Sequence, residues 1–317
     1  MRTPRKQARP AVDTAIAPLG GVTRDGQPLS HNRAPRPHLA PWVARLYVTD
    51  VTAPPDHRLD CGLFNDTAFL RIQLRGQWTA ETIAGPLAHG LSALYFGPQS
   101  RLMPISVSGS FCSIGISLRP GACHALKGPK VCEHLDRIVP VDAIGLDSAK
   151  LLTRFEPGMA PEDQMQAMEA IVERLVERSG QREPDPLTAR FEAAAFSDPT
   201  LSVRDFVRDC GVDQRRLERI IRRDFGMAPK QVLRRARALD MASHLRGVAD
   251  TAEADELALR YYDQSHLIRE FLEFFGMSPN QFVARPQPIL TLALEARQAR
   301  RLEAIARIAP GEVRPWQ

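Results

Sequence analysis

The sequence predicts an α+β protein with a β-rich domain in its N-terminal part and an all-α domain in its C-terminal part. Between residues 38 and 141, apolar residues come in short, partly alternating runs such as TAFLRIQLRG and FCSIGISLRPG, which are typical of strands. From Leu187 onward, apolar residues recur at helical spacing. An eight-residue pattern, DFGMAPKQ at Asp224–Gln231, returns as FFGMSPNQ at Phe274–Gln281, and such a repeat indicates one supersecondary unit used twice.

Composition limits the class of protein. The 317 residues suffice for two domains, and 44% hydrophobic with 25% charged residues is a soluble globular composition. A net charge of +5 weakly favours an anionic partner. The five cysteines are scattered and form no Cys-x-x-Cys pair, which indicates reduced thiols. No apolar run approaches the roughly 18–20 residues that span a bilayer, so we expect a cytoplasmic protein without a membrane partner.

Patterning divides the chain into five segments. Residues 1–37 read as a disordered basic arm, 38–145 as the β-rich domain, 146–186 as a helical connector and linker, 187–285 as the helical domain, and 286–317 as an extra helix with a tail. The connector contains a helix that starts at Pro161 and stops at Gly180, with an apolar stripe that fits either the core or a dimer contact. Whether the extra helix, Ile289–Ala309, packs back on the chain or contacts a partner stays open.

The first repeat unit has the anatomy of a helix-turn-helix. A helix beginning after Ser202 is followed by a short turn containing Gly211, and Asp213 can cap the next helix, QRRLERIIRRDF. Gly226 ends that helix as a left-handed position requires, and Pro229 opens another helix at its first turn. The repeated Phe-Gly-Met-x-Pro-x-Gln therefore marks the end of a recognition helix in each unit.

The outward face of the first recognition helix carries five arginines: Arg215, Arg216, Arg219, Arg222 and Arg223. A charge run on a helix is usually only a solvated face. At the recognition position of a helix-turn-helix, however, arginine can contact both phosphates and guanine edges. This placement favours double-stranded DNA as the partner.

The helix between the two units runs from Pro229 to about Arg246 and would be about 27 Å long. Recognition helices on one face of B-DNA should lie one turn, ~34 Å, apart, and a rigid spacer of this length fits that geometry. Arg237 on this helix could also contact a DNA phosphate. The predicted phosphate contacts are Gln214, Arg216, Arg222, Arg223, Lys230, Arg234 and Arg235.

These residues resemble the AraC/XylS family of bacterial transcription regulators, in which two helix-turn-helix units are joined by one long helix. The best match is YYDQSHLIREFLEFFGMSPNQF, Tyr261–Phe282, and Leu239, Ala242 and Leu245 fit the core face of the family's linking helix. More weakly, residues 38–141 are similar to a sensor-like domain of some members. The resemblance therefore implies a sequence-specific regulator of transcription, with an unidentified small-molecule effector on the N-terminal domain.

The resemblance also implies base-contacting positions where the pattern matches. They are Arg215, Glu218 and Arg219 in the first unit, and Gln264, Ser265, His266 and Arg269 in the second. These side chains can read base edges. RNA polymerase and a second copy of the chain are kept as further candidate partners.

The second unit departs from the family pattern in two ways. The stretch ELALRYYDQSH is about two residues short and lacks the turn glycine, so its first helix is expected to be shortened or shifted. Residues 202–246 hold twelve Arg and Lys against six acids, a net +6, whereas residues 250–285 hold three against seven, a net −4. Because phosphate binding needs positive charge, we expect the first unit to supply most of the DNA affinity.

Two alternatives stay open. The chain could be a protein-interaction adaptor whose altered second unit has lost specific DNA binding, or the β-rich domain could be a small-molecule enzyme. The sequence contains no Gly-x-Ser-x-Gly, Walker or His-Glu-x-x-His pattern, so we expect no enzymatic activity and no cofactor. Cys123, His124, Cys132 and His134 are close in sequence, but their spacing fits no usual zinc pattern, so we expect no metal site.

Overall fold

The computed structural model of the protein describes residues 30–156, 158–248 and 264–308, with the side chains of 264–267 and 305–308 left out. Three predictions lie outside these residues. They concern most of the basic arm, the shortened first helix of the second unit, and the end of the C-terminal tail. The fold class is confirmed, because an antiparallel sheet forms the N-terminal part and helices form the C-terminal part.

The sheet has eight strands in the described part of the chain, all antiparallel. They are β1 (Ser30–Arg33), β2 (Val43–Val51), β3 (Arg58–Leu63), β4 (Phe69–Thr82), β5 (Gly85–His89), β6 (Ser92–Phe96), β7 (Met103–Leu118) and β8 (Ile138–Pro140). The order is β1-β2-β7-β4-β6-β8, with β3 added to β7 and β5 to β4. The pairing of β4 with β7 shifts register near Arg75. These two long strands also pair with four others, since β4 contacts β5 and β6 while β7 contacts β2 and β3.

The helices are α1 (Ala122–Ala125), α2 (Ser148–Leu152), α3 (Pro161–Ser179), α4 (Pro186–Ser197), α5 (Val203–Cys210), α6 (Gln214–Phe225), α7 (Pro229–Leu245), α8 (Gln264–Phe275), α9 (Pro279–Ala284) and α10 (Pro288–Ile308). Short 3-10 turns lie at Pro37–Leu39, Val131–Glu133 and Val141–Ile144. None of the helices in the described residues is long and apolar enough to cross a bilayer.

The two faces of the sheet are covered by different helices. On one face, Leu46, Ile72 and Ile114 form a core with Met168 and Val172 of α3. The apolar stripe of the connector helix is therefore buried in the chain's own core, so those residues are not available as a dimer contact. The other face forms a second core that includes Phe69, Trp78 and Phe111, and α10 closes it.

Helix α10 packs back on the chain, which resolves the alternative that the sequence left open. Ile289 and Leu292 join the inner core of the β domain. Leu290 and Leu294 instead pack with Phe271 and other aromatic residues of the second unit. This one helix therefore joins the sheet to the C-terminal helical domain.

Candidate nucleic-acid interface

Helix α6 has the boundaries that its flanking residues predict. The Asp213 carboxylate caps its start by accepting a hydrogen bond from the backbone N–H of Arg216 at 2.8 Å. Gly226 adopts φ +79° at its end, a conformation that L side chains rarely adopt. Ser202 occupies the cap position of α5, as predicted, but its side chain makes no capping hydrogen bond.

One side of α6 is anchored in the helical core and the other side is basic. Leu217, Ile220, Ile221 and Phe225 are buried with residues of α4, α5 and α7. The opposite side exposes Gln214, Arg215, Arg216, Arg219 and Arg222 to solvent.

The exposed arginines form one row. Positions 215, 219 and 222 lie one above another, because residues separated by three or four share a helix face. Glu218 is half-buried and accepts a hydrogen bond from the Gln214 side chain at 2.9 Å. The fifth predicted arginine, Arg223, is half-buried and pairs with Asp224 at 2.6 Å. Four arginines of α6 therefore face solvent together.

The predicted phosphate contact at Arg235 is wrong in this structure. Arg235 is only 1% exposed, and its guanidinium donates to the backbone carbonyls of Gln99 and Asp66, both at 2.9 Å. Burial lowers its pKa to about 10. The physical reason is helical spacing, since position 235 lies three residues after buried Val232 and four before buried Leu239.

Arg234 and Arg237 are paired within the protein. Arg234 binds Glu270 at 2.8 Å and Glu273 at 2.5 Å, and Arg237 binds Glu270 at 2.8 Å. Burial would raise the pKa of Glu270, but the two arginines hold it below its ordinary value. Two acidic partners therefore already offset the charge that Arg234 could offer a phosphate. Of the three predicted phosphate contacts on α7, Arg235 is buried and Arg234 is paired with acids, whereas Lys230 is exposed to solvent.

The second recognition helix, α8, has a different surface. Arg269 and Glu273 are exposed, together with Ile268 at 47% and Leu272 at 50% exposure. The predicted base contacts Gln264, Ser265 and His266 lie outside the described side chains. Phe271, Phe274 and Phe275 hold the helix against α7 and α10. The α8 surface described here is therefore mixed apolar and charged, unlike the arginine row of α6.

A buried ionic cluster, which the sequence did not reveal, joins α7, α10 and the β domain. Arg297 lies 2.5 Å from Asp240 of α7 and 3.2 Å from Asp66, and Arg300 lies 2.6 Å from Asp66. Burial alone would raise the pKa of Asp66, but Arg300, Arg297 and Arg235 together hold it well below its ordinary value. The sequence signal was three arginines, 297, 300 and 301, at inward positions of an amphipathic helix.

The four residues considered for zinc have other surroundings. Cys123 is buried beside the Tyr95 hydroxyl at 3.6 Å, and the His134 ring packs edge-on against the Tyr95 ring. Cys132 is exposed, and all five cysteines are free thiols. Within the described ranges, no three potential metal ligands come together.

A helix-turn-helix that presents a row of exposed arginines defines a DNA-binding domain, and the protein is a DNA-binding transcriptional regulator. Residues 206–285 match the family model described as a helix-turn-helix domain. The expected resemblance is confirmed here, since this C-terminal segment is an AraC-type helix-turn-helix domain.

Solved structures show weaker likenesses. A ligand-free ToxT variant from Vibrio cholerae has a TM-score of 0.43 at 9% identity, covering 75% of this chain and 97% of that one. ToxT bound to an unsaturated fatty acid, also from Vibrio cholerae, has 0.40 at 9% identity, covering 74% and 93%. The AraC-like activator CuxR has 0.32 at 16% identity, covering 76% and 89%. No curated protein gave a sequence match.

Proposed function

We propose that the protein is a sequence-specific regulator that reads two successive major-groove segments of DNA, with the first helix-turn-helix supplying most of the affinity. The observation that carries this proposal is the contrast between the two recognition helices. Helix α6 presents Arg215, Arg216, Arg219 and Arg222, whereas α8 presents apolar Ile268 and Leu272 beside its charges.

The charge of the second unit supports the same asymmetry. Glu270 and Glu273 neutralise Arg234 of α7, so acids of the second unit engage a side chain that could otherwise face phosphate. Affinity for the phosphate backbone depends on the number of cations presented to it. The proposed division gives phosphate binding and most base contacts to α6, and local readout to α8.

The proposed function includes control by an effector on the N-terminal domain. That domain contacts the first unit and the linking helix α7 directly, which supports the proposal. Gly226 at the end of α6 packs against Val131 and Leu135 of the β domain. The β domain also holds Arg235 of α7 through two backbone carbonyls. A change in the β domain therefore has contacts through which to act. RNA polymerase and a homodimer remain predictions.

Binding to fragments of the native genome tests this proposal. Fragments enriched by the full chain would be titrated at several salt concentrations, and log K should fall linearly with log[salt], by about 0.9 per phosphate contact. Arg222→Ala should reduce this slope by about 1. Arg178→Ala, an exposed arginine of α3, is the matched control and should leave the slope unchanged. A flat salt response, or no enriched fragment, would contradict DNA binding and favour the adaptor alternative.

A further inference from the structure

Arg71, near the start of β4, is a buried cation without an acidic partner in the described part of the chain. The residue is 5% exposed, and its Nε donates to the Tyr47 hydroxyl at 3.0 Å. No described carboxylate pairs with it, and neither terminal nitrogen has a hydrogen-bond partner there. Buried charges in proteins are normally paired, because removing an ion from water is costly.

Aromatic rings surround the Arg71 guanidinium. Its central carbon lies 5.0 Å from the ring centroid of Phe96, 5.1 Å from Trp78, 5.6 Å from Phe69 and 5.9 Å from Tyr47. Cation–π contacts offset part of the cost of burial. They do not satisfy the N–H donors at the edge of the guanidinium, which point away from a ring that stacks on its face. The terminal nitrogens therefore remain available to an acceptor.

Arg71 lines a cavity of about 60 Å³ between the sheet of the β domain and helix α10. A water-sized group needs about 10–15 Å³ by this measure, so the cavity admits roughly four to six non-hydrogen atoms. Its wall combines neutral polar groups, among them Asn65 and Ser117, with apolar groups from Phe69, Trp78 and Leu292. Arg71 is the one charged residue of this wall among those described.

The sheet register builds the polar end of this cavity. Tyr47, Gly115 and Arg71 lie side by side on β2, β7 and β4, so their side-chain positions share one face. A Cβ at Gly115 would lie 2.1 Å from the Tyr47 ring. Glycine at this position therefore lets the Tyr47 ring lie over β7 and bring its hydroxyl to Arg71.

We propose that this cavity binds a small aliphatic monocarboxylate, with Arg71 as the bidentate partner of the carboxylate. The two terminal N–H groups match a planar carboxylate, and charge-assisted pairs of this kind are the strong ones. Tyr47 accepts from Arg71 through its oxygen, so its own proton is available to donate to the ligand. One cation compensates one negative charge, which disfavours dianions such as phosphate. Trp78 and Leu292 contact the short alkyl chain.

Helix α10 connects this site to the DNA-binding domain, and this step rests on the proposed function. Ile289, Leu292 and Ala293 of α10 line the cavity, while Leu290 and Leu294 on its other side pack into the second unit. A ligand that contacts α10 therefore acts on an element that also holds α8. We expect bound carboxylate to change the affinity for DNA.

Calorimetric titration of the full chain with sodium acetate, propionate, butyrate and benzoate tests the binding step. Propionate or butyrate should bind most tightly, acetate more weakly because it fills less of the cavity, and benzoate weakly because it is too large. Propionamide, which has nearly the same shape without charge, should bind at least tenfold more weakly than propionate. No saturable heat with any of the four carboxylates would overturn the proposal and leave the guanidinium held by the rings alone.

Variants place the ligand at Arg71. Arg71→Gln should abolish propionate binding, whereas Arg75→Gln, on the exposed side of the same strand, should leave it unchanged. If Arg71→Gln does not fold, Tyr47→Phe keeps the ring and should weaken propionate binding about threefold to tenfold. Equal binding by Tyr47→Phe and the original chain would contradict the assigned site.

The coupling step has a separate readout. DNA affinity would be measured with and without saturating propionate, in the original chain and in Arg71→Gln or, if needed, Tyr47→Phe. If propionate changes the DNA affinity of the original chain at least threefold and leaves that of the variant unchanged, the coupling is supported. Propionate binding without any DNA affinity would contradict the proposed function but keep the ligand site. DNA binding that propionate leaves unchanged would contradict the coupling through α10.

Discussion

The guanidinium of Arg235, in the helix that links the two helix-turn-helix units, donates to the backbone carbonyl of Gln99 in the β domain at 2.9 Å. A second bond, to the carbonyl of Asp66, has the same length. The linking helix is therefore fixed to the β domain by a side chain that, on an isolated helix, would be counted as a phosphate ligand. This contact joins the β domain and the linking helix of the DNA-binding domain.

Replacement of this side chain should destabilise the fold. Arg235→Ala leaves one buried and one partly buried carbonyl without a donor and removes a cation beside Asp66, so we expect a loss of about 3 kcal/mol in the free energy of unfolding. Lys230→Ala, exposed near the start of the same helix, should change it by less than about 0.5 kcal/mol. Urea unfolding followed by circular dichroism measures both. Similar stabilities of the two variants would contradict the structural role of Arg235.

The attachment of α10 can be measured through Arg297 and Asp240, which lie 2.5 Å apart. Both side chains are buried, so removing one partner leaves an uncompensated charge. In a double-mutant cycle with Arg297→Met and Asp240→Asn, we expect a coupling energy of about 1–3 kcal/mol. The exposed pair Arg58–Asp60 serves as control and should couple by less than about 1 kcal/mol. Strictly additive effects at Arg297 and Asp240 would show that the contact does not hold α10.

Acid should destabilise the β domain through His89. Burial, together with the positive charge of Arg71, lowers the pKa of His89 to about 4, below its ordinary value of 6.5. The unfolded chain therefore binds a proton between pH 6.5 and 4 that the folded chain does not, and stability falls as pH falls through this range. His89→Gln should reduce the fall in melting temperature between pH 7 and pH 4.5 relative to the original chain. An identical fall in His89→Gln and the original chain would contradict this assignment.

The sequence predicted the first unit well because its boundaries depend on local chemistry. Asp213 caps α6 with its side-chain carboxylate, whereas Gly226 ends that helix and Pro229 opens α7 through their backbone preferences. All three effects are local in the chain. The burial of Arg235 depends on its contact with the β domain, more than 130 residues away in sequence. Helical periodicity was therefore the only sequence pattern that could indicate this burial. That signal places position 235 between Val232 and Leu239 on the buried face.

The cavity beside Arg71 also depends on long-range contacts that the sequence pattern does not predict. In the strand FLRIQLRG, alternation places Phe69, Arg71 and Gln73 on one face. The sequence therefore predicts that Arg71 lies on the same face as the core residue Phe69. It does not give the strand order that brings Tyr47 and Gly115 alongside, nor the return of α10 over the sheet. These features depend on long-range pairing, which periodicity alone does not specify.

The central claim is that α6 supplies most of the DNA affinity, and matched alanine substitutions in the two recognition helices test it most directly. In a titration of one bound fragment at fixed salt, Arg219→Ala should weaken binding by about 1–3 kcal/mol, roughly 5-fold to 150-fold. Arg269→Ala should weaken it by less than about threefold, and Arg178→Ala should have no effect. Equal losses from Arg219→Ala and Arg269→Ala would contradict the proposed dominance of the first unit.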